Sequence, residues 1–202
     1  MSESTRLKIL KVAIDEFLEK GFEGASLRNI AKLSKVSTGA IYGYFTSKSD
    51  IFDTLVKDTS EELYKLMEIN IQEFFEGDIE NQISNLGNNS ENMIYPLIDY
   101  IYAHYNEFYL IFLKSQGTKY QYYIERFVDL EIKNTIVFVD YLFQAGKIKK
   151  RPTNTIIAIL SENSILAIFK VLSLGLPIEQ AKEQVEYISN FYYSGWIDII
   201  NQ

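Results

Sequence analysis

The 202-residue chain has no cysteine, one histidine (His104) and 3 prolines. Without cysteine, disulfides, thiolate metal sites and a cysteine nucleophile are excluded. One histidine makes neither a metal-ligand cluster nor, with no nucleophile motif beside it, a catalytic triad. The chain has no Walker A loop and no G-x-G-x-x-G. No cofactor, no metal and no enzymatic activity are therefore expected. Long apolar runs are missing: stretches such as Ile165–Phe169 fall far below a bilayer span, and the start MSESTRLKIL lacks the apolar centre of a signal peptide. A cytoplasmic protein with no membrane partner is the expectation. With so few prolines and only 10 glycines, little interrupts long helices, and clear strand alternation is scarce. The expectation is an all-α fold of about nine helices, by periodicity.

Positive charge is also short, at a net −7. It is unevenly placed, however. Residues 1–50 hold 8 Lys and Arg against 6 Asp and Glu, and the remainder holds 12 against 21. A mildly basic head on an acidic body is compatible with nucleic acid, because phosphates are met by one face.

The head is the most legible part. Thr5–Lys20 reads as a helix with Leu7, Leu10, Ile14 and Phe17 on one side, ended by Gly21 at a left-handed C′ position. Ser26–Phe45, SLRNIAKLSKVSTGAIYGYF, then reads as two short helices across a tight turn. Ser26 and Ser37 are N-cap residues, Leu27, Ile30 and Ala31 share a face, and Ala40 and Ile41 give the second helix a small buried side. That is the helix-turn-helix pattern, whose second helix can enter a DNA major groove. Ser47 caps a fourth helix running from Lys48 to about Phe75.

These residues resemble the TetR family of bacterial transcriptional regulators. Arg6, Ile9, Leu10, Ala13, Phe17 and Lys20-Gly21-Phe22 extend the match upstream. Tyr42, Tyr44, Phe45, Ser47, Lys48 and Ile51 extend it downstream. The resemblance implies a DNA-binding domain over residues 3–63, with its helix-turn-helix at 26–45, and a helical ligand-binding and dimerisation domain over 64–202.

Candidate DNA contacts are Ser37, Thr38 and Gly39 at the start of the reading helix. Thr38 can hydrogen-bond a base or offer its methyl to thymine. Gly39 weakens a helix by up to about 1 kcal/mol relative to Ala, so it needs a reason: close approach to DNA, or tight packing on the neighbouring helix. Tyr42 and Tyr44 match family positions that contact phosphates. Arg28 and Lys32, one turn apart, are candidate backbone clamps, with Asn29 a further participant. Lys48 in the first turn of the fourth helix opposes the dipole, which a docked phosphate would explain and a tolerated surface lysine would not need. The match departs from the family at two positions. Where Lys35 stands, the family usually has glycine in a positive-φ turn. Either the turn differs, or Lys35 accepts strain of about 1–2 kcal/mol and gains a phosphate contact. Where Thr38 stands, the family often has a basic residue.

The acidic body reads as further helices around Glu91–Tyr105, Asn106–Gln116, Lys119–Ala145, Thr153–Leu174 and Ile178–Ile200, with a loop over Asn81–Ser90 and a basic loop over Lys147–Pro152. The chain holds 15 tyrosines and 13 phenylalanines. Aromatics give flat walls with a polar handle. The candidates for a small-molecule pocket, which the resemblance implies, are Tyr95, Tyr102, His104, Phe108, Tyr109, Phe112, Tyr123, Phe127 and Tyr141. Few charges lie on these faces, so an apolar, aromatic or weakly cationic effector is expected, with Glu107, Asp129 or Glu131 available to a cation. In the last two helices Ile165, Phe169, Ile188, Phe191, Tyr192 and Trp196 are candidates for a homodimer four-helix interface, which the resemblance favours over burial inside one protomer. The resemblance implies a ligand-responsive regulator, most often a repressor, that binds palindromic double-stranded operator DNA as a homodimer. The alternative is a helical protein-binding adaptor that keeps the fold without sequence-specific DNA binding; its support is the uncharged reading helix and the lysine at the turn.

Overall fold

A computed structural model describes residues 2–85 and 93–201. The described residues form ten α-helices, one 3-10 turn and no strand. The helices are α1 (Glu3–Gly24), α2 (Leu27–Ser34), α3 (Thr38–Ile41), α4 (Lys48–Glu76), α5 (Ile79–Asn85), α6 (Tyr95–Ala103), α7 (Tyr105–Leu113), α8 (Tyr123–Gln144), α9 (Asn154–Leu172) and α10 (Ile178–Asn201). The 3-10 turn, Lys119–Tyr122, leads into α8.

The chain divides into two compact units. The first joins residues 1–62 to residues 104–123, and the second joins 63–103 to 124–202. Residues 104–123 thus group with the head, although the resemblance places them in the domain over 64–202.

The first unit is built on an aromatic centre. Phe17 and Phe52 meet edge-to-face at 5.2 Å, Phe22 and Phe52 at 5.5 Å, and Tyr120 leans on Phe52 at 6.0 Å. Such pairs add roughly 0.5–1.5 kcal/mol each beyond burial. Gly21 breaks α1 at φ 70, ψ 169. The positive φ agrees with expectation, but the ψ lies in a region open essentially to glycine alone rather than in the left-handed helical basin. The break turns Phe22 inward, and its N–H donates to the Lys114 carbonyl at 2.9 Å. Residues 104–123 are further fixed by the Tyr120 hydroxyl, which donates to Asp53 at 2.6 Å, by Lys119 on the same carboxylate at 2.5 Å, and by the Tyr123 hydroxyl on the Ser60 carbonyl at 2.6 Å. Burial alone would raise the Asp53 carboxyl, but the Lys119 and Tyr120 bonds outweigh it and hold it below its usual value.

The second unit packs the C-terminal half of α4 with α5, α6, α8, α9 and α10. One of its cores gathers Phe138, Val139, Leu142, Ile148 and Ile157, flanked by Phe74, Ile79, Ile83 and Trp196. Ile79 and Ile83, one turn apart, dock there, so residues 79–85 are helical and not the expected loop. The rest of that expected loop and the first two residues of the Glu91–Tyr105 helix lie outside the described residues. The Gln82 side chain donates to the Gly77 carbonyl at 2.7 Å just past the end of α4. Gly146 ends α8 at φ 69, with Lys147 N–H on Leu142 O and Gly146 N–H on Phe143 O, the paired bonds of a Schellman stop. The basic loop is tied down by Arg151, which reaches Asp140, the Pro152 carbonyl and Asn154. Among the described helices, α9 alone is long and apolar enough to cross a membrane by length and composition. It carries Ser161, Glu162, Asn163 and Ser164 at its middle.

Candidate DNA-reading face and effector cavity

The helix-turn-helix closes on local hydrogen bonds. Ser26 Oγ accepts from Asn29 N–H at 3.5 Å, and Ser37 Oγ accepts from Ala40 N–H at 3.0 Å, so both serines are N-caps. Between them Lys35 sits at φ 57, ψ 40. Lys35 N–H donates to Lys32 O, and Val36 N–H donates to Ala31 O. This is a Schellman stop with a lysine where glycine is the unstrained choice. The turn keeps the left-handed geometry, and Lys35 carries the strain.

One buried carboxylate anchors the pair. Glu16 of α1 is 3% exposed and accepts from Lys20 Nζ at 2.9 Å, Ser26 N–H at 3.0 Å and Asn29 Nδ2 at 2.5 Å. Burial would raise this carboxyl, but the three donors together hold it below the usual value. The Asn29 amide is thereby engaged by Glu16 within the head.

The other candidates fall into two groups. Arg28, Lys32, Lys35, Ser37, Gly39 and Tyr42 are exposed along α2, the turn and α3, and Thr38 is half-buried beside them. A Cβ built on Gly39 would meet only Ser37 Oγ, at 3.8 Å. Packing therefore does not require this glycine, and the explanation from close helix approach fails. Tyr44 and Lys48 are engaged within the unit instead. The Tyr44 hydroxyl accepts from Ser2 N–H at 3.1 Å. Lys48 Nζ donates to the Glu23 and Ala25 carbonyls at 3.2 and 3.1 Å and lies 4.6 Å from the Phe22 ring centre. That places the Lys48 ammonium against the α1–α2 junction, where the two carbonyls account for it without a phosphate.

The second unit holds a part-open cavity of about 340 Å³. Each wall is one helical face. Leu63, Met67, Ile71 and Phe74 come from α4, and Leu97, Ile98 and Ile101 from α6. Phe127, Glu131, Asn134, Thr135 and Phe138 come from α8, and Ser161, Ile165, Ile168, Phe169 and Leu172 from α9. Ser189, Tyr192, Tyr193 and Trp196 come from α10. Glu131 accepts from Thr135 Oγ1 at 3.3 Å, and Thr135 in turn accepts from Ser161 Oγ at 3.3 Å. Burial pushes the Glu131 carboxyl above the usual range, against the smaller opposing effect of Thr135.

Of the nine sequence candidates for the pocket, only Phe127 lines this cavity. His104, Phe108, Tyr109, Phe112 and Tyr123 belong to the first unit. There Phe108 is fully buried core, Phe112 leans on it at 5.5 Å, and Lys114 lies 5.9 Å from the Tyr109 ring centre. His104 precedes α7, where its carbonyl accepts from Phe108 N–H. In the second unit the Tyr95 hydroxyl donates to Glu186, Tyr102 donates to the Leu176 carbonyl, and Tyr141 is exposed. Helical spacing marks which aromatics face inward but not which inward face is left unfilled. The readable signal was the polar set Glu131, Thr135, Ser161 and Ser164 on otherwise apolar faces of α8 and α9.

The dimer candidates divide similarly. Ile165 and Phe169 are buried in the protomer and line the cavity, so they are corrected out of an interface. Tyr192 and Trp196 also face the cavity, and Ile188 is half-buried. Phe191 is 74% exposed, with Tyr187 one turn before it. On α9 the exposed apolar residues are Ile156, Ile159 and Leu166, the neighbours of the predicted ones.

Residues 9–55 match the family model described as bacterial regulatory proteins, tetR family. The HTH-type transcriptional regulator AcrR of Shigella flexneri is 39% identical over 77 residues, covering 38% of this chain and 35% of that protein. The fatty acid metabolism regulator protein of Bacillus subtilis (strain 168) is 33% identical over 67 residues, 33% of this chain and 34% of that protein. The matched region thus spans about a third of the length of these curated relatives. Among solved structures, a TetR-like transcriptional regulator from Rhodococcus sp. RHA1 superposes with a TM-score of 0.60 at 14% identity over 98% of both chains. The transcriptional regulator FadR from Bacillus subtilis in complex with stearoyl-CoA superposes with a TM-score of 0.54 at 16% identity, over 97% of this chain and 100% of that one.

Proposed function

We propose that this chain, whose residues 9–55 match the TetR family of bacterial regulatory proteins, is a ligand-responsive transcriptional repressor acting as a homodimer on a palindromic operator. The observation that carries the DNA-reading half is Gly39. It is an exposed glycine at the start of α3, where a Cβ would meet only Ser37 Oγ at an ordinary contact distance, beside Thr38, Lys35 and Tyr42. A glycine that nothing inside the protein needs is explained by a surface approaching from outside. Two heads in one dimer would read major grooves about 34–36 Å apart. Arg28, Lys32 and Lys35 supply phosphate charge and Tyr42 a phenol, while Thr38 reads a base edge. The domain division at residues 63 and 64 remains part of this proposal, with residues 104–123 supporting the DNA-binding head.

The effector half rests on the cavity. Helix α4 carries Asp53 and Ser60 in the first unit and Leu63, Met67, Ile71 and Phe74 on the cavity wall of the second. A ligand that moves its C-terminal half acts on the helix that begins beside the reading motif. Release of DNA by ligand requires, by linkage, that DNA weaken ligand binding by the same factor. The exposed residues of α9 and α10, Ile159, Leu166, Tyr187 and Phe191, supply the dimer face.

The test is binding of promoter and random duplexes across a salt series. The regulator should bind both at low salt, prefer the promoter, and lose affinity linearly in log salt. Thr38→Ala should change sequence preference, and Arg28→Ala should weaken all duplexes together. No affinity for any duplex at low salt would sink the regulator reading and leave the protein-binding adaptor.

A further inference from the structure

The cavity is apolar on most of its surface, yet it holds one carboxylate and no Lys, Arg or His among its described lining residues. Among those residues Glu131 has a single hydrogen-bond partner, the Thr135 hydroxyl. The direction of that bond matters. Ser161 donates to Thr135 and Thr135 donates to Glu131, so both hydroxyl protons point along the wall toward the carboxylate. The end of the relay is an acceptor whose charge no described residue neutralises. Ser189 Oγ, buried on another wall, has no partner among the described residues. The rest of the wall includes the rings of Phe127, Phe138 and Trp196. Aromatic faces attract cations, most strongly where water is excluded. A carboxylate on a mostly apolar wall without a counter-charge is costly to keep, and pairing it with a hydrogen-bonded cation relieves that cost.

Resting on the effector-cavity reading above, we infer that Glu131 is the anchor for a protonated amine, so that the effector is an amphipathic molecule with an apolar body and one cationic nitrogen. The ammonium donates to the Glu131 carboxylate, and the apolar body fills the space between α4, α6 and α9. Burial already pushes the Glu131 carboxyl toward its neutral form. A cation entering the cavity restores the ionised one. A free fatty carboxylate of the same size brings no cation, and it could sit beside Glu131 only by holding that carboxyl protonated.

The test uses three probes with one body and different heads: decylammonium, decanol and decanoate, titrated calorimetrically into the full chain and into Glu131→Gln. In the unaltered protein decylammonium should bind about tenfold or more tightly than decanol, as a charge-assisted bond plus ring contact implies, and decanoate should bind most weakly. In Glu131→Gln the ratio of decylammonium to decanol affinity should collapse to near one. Equal affinities for decylammonium and decanol in the unaltered protein would overturn the inference and leave the cavity reading intact, as would a ratio that Glu131→Gln does not change. Ser161→Trp, which fills the cavity, separates the two failures. If it does not reduce binding of any probe, or if no probe binds the unaltered protein, the cavity reading itself fails and the amine anchor with it.

Discussion

At the scale of single residues, two side chains stand in places their chemistry makes testable. Lys35 occupies a left-handed position at φ 57. Lys35→Gly should stabilise the chain by roughly 1 kcal/mol through relief of that strain, read as a rise in melting temperature. If the Lys35 ammonium meets a phosphate, the same variant lowers the salt slope of DNA binding by about one. Glu16 is the second case. Three donors hold its carboxyl below the usual value in the folded state. Its contribution to stability is therefore complete above an unfolded glutamate value of about 4.3 and is lost as pH falls through the lower folded value. Glu16→Gln should cost about 2 kcal/mol near neutral pH, and the gap to the unaltered protein should close in acid denaturation monitored by circular dichroism. A gap independent of pH would show that packing, not the carboxylate, carries the effect. The caps at Ser26 and Ser37 were legible in the sequence because capping is local. The role of Glu16 was not, because its partners lie up to 13 residues away.

At the scale of elements, α3 is short and uncharged, and Gly39 is its weakest helix former. Gly39→Ala should raise fold stability by up to about 1 kcal/mol, because a Cβ there meets nothing closer than 3.8 Å. DNA affinity should fall while stability rises, a split measured by thermal melts beside mobility shifts. A variant that gains stability and keeps full affinity would remove the close-approach reading of α3. Helix boundaries were largely readable: α4 was expected to end near Phe75 and ends at Glu76, and α10 begins at Ile178 as expected. The exception is α5, where Ile79 and Ile83 pack against the cluster of Phe138, Val139, Leu142, Ile148 and Ile157, a partnership made by distant parts of the chain.

At the scale of the whole molecule, the proposed dimer rests on exposed apolar residues of α9 and α10. Phe191→Glu should leave the fold intact, since the side chain is 74% exposed, and convert a dimer to a monomer by sedimentation. Binding to a full palindromic operator should drop with it, and binding to a half-site should change little. A Phe191→Glu variant that sediments as a dimer would move the interface elsewhere. The sequence by itself determined the all-α class, the helix-turn-helix and its two serine caps, while at Lys35 it left a different turn or a strained one open and the structure decided for strain. The class, the motif and the caps each follow from period, capping or turn chemistry within a few residues. The tertiary structure decided the assignment of residues 104–123 to the head, the engagement of Lys48 and Tyr44 within that unit, and the cavity wall. Those depend on which inward-facing side chains find partners. Helical spacing puts Phe108, Phe127, Ile165 and Phe169 alike on buried faces, but only packing in three dimensions leaves space in front of Phe127, Ile165 and Phe169 and none in front of Phe108.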